Sequence, residues 1–177
     1  MHKIYILLFA ASILTSCHYD DRTNWSPDFD GTGYRPVYMN EEEARDVEFH
    51  AGEALAKPGK IYLLEPFIFI NEKGKGIHII DNSDPGNPEN ISFISIPGNY
   101  DMAAKGNWLY ADNYTDLLTF DISNPKEVRL VKRVSNAIPV SDFPLEKGIF
   151  FECPDPSKGT IVTWEKVDMT EKPKCWR

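Results

Sequence analysis

The residues able to do chemistry in this 177-residue chain are few: three cysteines, four histidines and one turn dense in oxygen atoms. Cys17 follows an apolar run of 11 residues, Ile4 to Leu14, and the small pair Thr15-Ser16. A thiol there is a nucleophile at the end of a membrane-seeking segment. Cys153 and Cys175 stand 22 residues apart, and no Cys-x-x-Cys spacing offers a redox centre. In an oxidising compartment they form a bridge, stay as two free thiols, or pair with cysteines of a missing C-terminal part. A bridge closing that loop is worth about 3 kcal/mol. His2, His18, His50 and His78 include no pair at zinc-ligand spacing. Asp81, Ser83 and Asp84, with Asn87 and Glu89, offer calcium-type oxygens. Their spacing departs from a calcium loop, and Pro85 sits where a ligand is wanted, so they read as a capped turn. No Gly-x-Ser-x-Gly elbow is present, and Gly74-Lys75-Gly76 lacks the rest of a phosphate loop and reads as a hairpin turn. The expectation is a non-enzymatic protein with no metal and no cofactor. Tyr100, Trp108, Tyr110 and Tyr114 either stack on sugars at a sheet edge or pack as strand surface.

Lys3 is the single charge in residues 1–16 and precedes the apolar run. A run of 11 residues is too short to cross a hydrocarbon core as a helix, which takes roughly 20. It suits the hydrophobic region of a secretory signal. Leu14-Thr15-Ser16-Cys17 resembles the lipobox of bacterial lipoproteins. The resemblance implies cleavage before Cys17, diacylglycerol on its sulfur and an acylated new N-terminus. Each buried acyl CH₂ contributes about 0.8 kcal/mol, so several chains make a stable anchor. His18-Tyr19-Asp20-Asp21 follows. Its acidic pair resembles the surface-export signal of lipoproteins in some Gram-negative groups. That implies lipid attachment at the outer membrane, on the cell surface, with the periplasmic face as the alternative.

The net charge of −8 disfavours nucleic acid, whose phosphates need clustered Lys and Arg. Thirteen prolines and eleven glycines favour turns and sheet over long helices. Residues 17–33 are polar, without an apolar period, and read as a flexible tether. In the leading segment 34–58, Tyr34 to Met39 reads as extended around Pro36. Asn40 and Glu43 form a capping-box pair, which predicts a helix over 40–46. From there to residue 56 the pattern fits a longer helix or an extended arm, and Pro58-Gly59 ends it.

The remaining chain, 59–177, repeats itself. With Asp81 superimposed on Asp121, Ile77–Ile80 falls on Leu117–Phe120 and Ser83-Asp84-Pro85 on Ser123-Asn124-Pro125, a period of 40 residues. Phe67–Ile70 falls on Trp108–Ala111 with one gap in the turn between. Each unit reads strand, turn, strand, D-x-S-[DN]-P turn, strand, closing with 91–96 or 128–134. Such a period of short strands points to four-stranded propeller blades. Gly-Ile-His-Ile-Ile-Asp-Asn-Ser-Asp-Pro and Asp-Leu-Leu-Thr-Phe-Asp-Ile-Ser-Asn-Pro resemble LVIVD repeats, found in bacterial surface and exported lipoproteins. The resemblance covers roughly residues 34–135 and implies architecture, with no catalytic residue to carry over.

The expected fold is all-β: antiparallel propeller-like blades, two clear and a third degenerate one from 149–152 and 160–165. Three blades leave the ring incomplete, since closure takes 4 to 8. An open sheet edge and exposed apolar face then call for a protein partner or self-association. The functional expectation is a cell-envelope lipoprotein whose sheets form a binding or scaffolding surface. The alternatives are an accessory component of a glycan-binding, uptake or enzyme system, and a non-functional fragment of a longer gene.

Overall fold

The computed structural model describes residues 26–139 and 141–177. The signal segment 1–16, Cys17 and the tether as far as residue 25 lie outside the described residues. Strand β1 (Thr32–Met39) leads into helix α1 (Glu41–Arg45) and strand β2 (Glu48–Ala51). A first meander follows: β3 (Pro58–Leu64), β4 (Phe67–Glu72), β5 (Gly76–Asp81) and β6 (Glu89–Ser95). A second comprises β7 (Met102–Lys105), β8 (Trp108–Asn113), β9 (Asp116–Asp121) and β10 (Arg129–Val134). The chain continues through β11 (Phe150–Phe151), a short 3-10 turn at Pro156–Lys158, β12 (Thr160–Asp168) and β13 (Cys175–Trp176).

Each repeat makes one antiparallel sheet. The order is β3-β4-β5-β6 in the first, with β2 added beyond β6, and β7-β8-β9-β10 in the second. Strand alternation decides which side chains meet. Ile77 and Ile79 share a face with Phe69, which lies opposite Ile79. Leu109 lies opposite Phe120, and Ala111 opposite Leu118, on the matching face of the second sheet. Phe69, Ile77 and Ile79 pack with Leu109, Leu118 and Phe120 in one core, and all six are fully buried. At about 25 cal/mol per Å² of apolar surface removed from water, this contact is the main source of stability.

The aspartate turns repeat in atomic detail. Asp81 Oδ1 accepts from the Ser83 amide at 3.0 Å, and Asp121 Oδ1 accepts from the Ser123 amide at the same distance. Asp84 Oδ1 accepts from the Gly86 amide, and Asn124 Oδ1 from the Lys126 amide, at the matching positions. Lys126 Nζ reaches across to Asp81 Oδ2 at 2.9 Å and ties one turn to the other. The side-chain oxygens at these turns thus serve backbone N–H groups.

Asn40 accepts from the Glu43 amide at 2.8 Å while the Glu43 carboxylate accepts from the Asn40 amide, so α1 carries a complete capping box. Beyond Arg45 the chain extends rather than continuing as helix, because β2 joins the edge of the first sheet through β6. β1 begins at Thr32, within the last two residues of the span read as tether.

The third sheet departs from the expected degenerate blade. Its order is β12-β1-β11-β13, so the strands at 150–151 and 160–168 lie in one sheet with β1 between them. β1 runs antiparallel to β12 and parallel to β11. The segment expected as a leading arm therefore supplies one of the two inner strands. Phe151 is buried there, edge-on to Trp164 at 5.4 Å and to Phe143 at 5.8 Å.

His78 points to the opposite face from Ile77 and Ile79. It is fully buried between Glu72 Oε2, 2.9 Å from Nε2, and Asn90 Nδ2, 3.0 Å from Nδ1. Both ring nitrogens are thus engaged, one by the carboxylate and the other by the asparagine amide. Burial pushes the Glu72 carboxyl up, but hydrogen bonds from Lys75, His78 and the Ala56 amide outweigh it and hold it at about 2, against an ordinary 4.5. Asp116 is likewise held at about 2, from 3.8: burial raises it, and Arg133 and Arg45 more than reverse that. Both folded values lie below the unfolded ones. Their contribution is present in full above about pH 5 and disappears as pH falls toward 2. The melting temperature is therefore expected to drop across that window, and Glu72→Gln to flatten the drop. Thermal melts from pH 7 to 2 measure both.

Candidate functional site

The third sheet meets the two repeat sheets along β12, and a cleft of about 610 Å³ opens at that junction. One wall is Ile161 to Lys166 of β12, which β1 holds in place. The facing wall comes from the turns of the repeats: the β4–β5 hairpin with Lys73 and Lys75, the 98–100 connector, and the β8–β9 hairpin with Tyr114. Ile138, Pro139 and residues from 141–146 form the rim.

Backbone geometry explains why these turns approach so closely. Gly98 has φ +68°, and a Cβ there would sit 2.8 Å from the Val162 carbonyl oxygen. Only glycine fits that position without movement of β12. Tyr114 takes φ 56° in the two-residue turn between β8 and β9. A non-glycine residue in the left-handed region carries strain, and such residues gather where a side chain must be aimed.

A chain of polar groups fixes the connector. Asn71 Nδ2 donates to Asn99 Oδ1 at 2.6 Å, and Asn99 Nδ2 donates to Asp112 Oδ1 at 2.6 Å. Asp112 Oδ1 also accepts the amides of Tyr100 and Asp101, each at 2.9 Å. The first repeat is thereby tied to the second through a buried asparagine and a carboxylate. Burial pushes the Asp112 carboxyl above its ordinary value despite those bonds. Tyr100 then reaches β12, with its hydroxyl 2.6 Å from Thr163 Oγ1. Burial raises the Tyr34 hydroxyl, and the neighbouring Glu146 adds to it. Burial does the same for Tyr114, with Asp142 beside it.

The charges in the cleft are mixed. Lys57, Lys73, Lys75 and Lys166 line it beside Asp112, Glu146 and Glu165. Lys75 is held 2.9 Å from Glu72 Oε1, and that contact lifts it above its ordinary value.

The LVIVD repeat model matches residues 59–93 and 99–136. Those spans coincide with the first and second meanders. The chain contains two LVIVD repeats. No curated protein and no solved structure matches it. The repeats build a β-propeller-like body, and the cleft lies where the turns of both LVIVD repeats meet the third sheet.

Of the four aromatic residues singled out in sequence, the structure brings Tyr100 and Tyr114 into the cleft. Trp108 and Tyr110 do not line it. They lie on β8 opposite Asp121 and Thr119. Cys153 and Cys175 are joined in a disulfide with a Cα–Cα separation of 5.2 Å. The bond fastens β13 to the chain leaving β11. Beyond it, the Arg177 carbonyl accepts the Gly148 and Ile149 amides, and Arg177 Nη1 donates to the Pro144 carbonyl. The cysteines thus anchor the base of the cleft rim from a distance. Among the described residues, no group of three His, Cys, Asp or Glu side chains could hold a metal ion.

Sequence reasoning missed Tyr34, Trp164 and the lysines as cleft residues. Their signal was weak, because Tyr34 and Trp164 enter through strand pairing between opposite ends of the chain. Asp112 was also missed, although it occupies the position of Asn71 in the repeat alignment. Asp112→Ala should release the Asn99–Asp101 turn at a cost of about 1–3 kcal/mol, the usual penalty for stranding buried polar partners. Chemical denaturation of the variant against the parent measures it.

Proposed function

We propose that the protein is a lipid-anchored, non-catalytic component of the bacterial cell envelope whose repeat sheets present a binding surface. Cys17 carries the diacylglycerol and holds the acidic body at the outer membrane, facing the cell exterior. The observation that carries the reading is the cleft. It is concave, and aromatic, lysine and carboxylate residues line it together. Ligand sites typically occupy roughly 300–1,000 Å³. Thr163, one of the hydroxyls in the cleft, is engaged by Tyr100 rather than by a base.

The outward face of the first sheet supports a second contact. Ile61 and Leu63 on β3 are 61% and 64% exposed. They sit opposite half-buried Ile70 and Ile68 on the face turned away from the second sheet. A protein partner or a second copy completes the sheet there. The placing of Tyr100 and Tyr114 in the cleft favours a related reading, an accessory component of an envelope glycan-binding or uptake system.

The anchor is tested directly. Full-length protein expressed in a Gram-negative host with palmitate label should appear as a labelled band in the outer-membrane fraction. Cys17→Ala should lose the label and leave that fraction. An unlabelled parent, or label retained in the variant, contradicts the proposal.

A further inference from the structure

We infer that the cleft binds an acidic saccharide, a sugar chain bearing carboxylates, by ring stacking and lysine contacts. This rests on the reading of the body as a binding surface and names what that surface takes. The rings come first. Tyr34, Tyr100, Tyr114 and Trp164 reach the cleft from four separate segments, and each is half-buried. Packing fixes such a ring while leaving part of it open. Sugar rings present flat C–H faces that pack on aromatic faces, whereas their hydroxyls point outward to polar partners. Tyr114 holds its place at the cost of a left-handed backbone.

The charges set the class of sugar. The chain is strongly acidic, yet Lys57, Lys73, Lys75 and Lys166 collect around this one opening. Among the described residues, Lys57 and Lys73 form no ion pair, and Lys73 sits on the hairpin held by the Lys57 carbonyl at 3.2 Å. In a cleft of mixed charge, these two ammonium groups are the ones left to meet a carboxylate brought in by a ligand. Lysine acts as a point charge on a flexible stem, which suits carboxylates that vary in position along a polymer. Asp112 commits Oδ1 to the connector, and Oδ2 takes no part in those bonds. Asp112, Glu165 and Thr163 are acceptors for sugar hydroxyls. Acceptors of this kind suit a ligand rich in hydroxyl donors, which a sugar chain supplies and a phosphate backbone does not.

Calorimetric titration of the full-length protein in detergent tests this, with oligogalacturonate as the acidic probe and a cello-oligosaccharide of equal length as the neutral one. The acidic probe should bind at least tenfold more tightly than the neutral one, and more weakly as salt rises. The double variant Lys57→Gln/Lys73→Gln should lose about tenfold in affinity with an unchanged melt. Tyr34→Ala should weaken binding, and Lys105→Gln, outside the cleft, should not. Equal binding of both probes overturns the acidic assignment, as does full affinity in the double lysine variant. Binding of neither probe overturns the saccharide. If a crosslinked protein partner is found in that last case, the binding-surface reading survives while this inference fails.

Discussion

The structure depends on one contact, the face-to-face burial of the two repeat sheets. A sheet with one apolar face must cover it. Phe69, Ile77 and Ile79 meet Leu109, Leu118 and Phe120, all without exposure. Neither repeat can satisfy that demand alone, so a repeat here is a structural unit only in company. The polar residues follow the same logic. Asn71, Asn99 and Asp112 cross from one sheet to the next beside this core. Arg45 and Arg133 converge on buried Asp116 and lock α1 onto the second sheet.

The cleft is a consequence of that packing. With two meanders fixed against each other, their turns come out side by side on one end. β1 and β12 lie across those turns as a fixed third wall. Gly98 allows the approach, and Tyr100 bonds across it. The disulfide and the last residues then hold the rim segment in place. Function is thereby placed on loops between rigid sheets, the usual division of labour in such folds.

Much of this was legible in the residues. The apolar runs Ile77–Ile80 and Leu117–Phe120, forty residues apart, marked the strands, because strand preference and burial act locally. The aspartate turns were legible for the same reason. Strand β7, Met102-Ala103-Ala104-Lys105, was not, since two alanines carry no strand preference. The third sheet was harder still. Tyr34 pairs with Lys166 and Phe151 across more than a hundred residues, and no local pattern records a partner so distant. Of the cleft, the tyrosines at 100 and 114 stood out by type. Their grouping with Tyr34 and Trp164 depended on that same long-range pairing.

Native-state hydrogen exchange on the full-length protein tests the coupling of the two repeats most directly. If each sheet stands only against the other, the amides of β5 and β9 open together. Leu118→Ala, expected to cost about 2–5 kcal/mol, should then lower protection at Ile77 and Ile79 as much as at Phe120. Unchanged protection in β5 of that variant would show that the first repeat folds independently, and the account would fail.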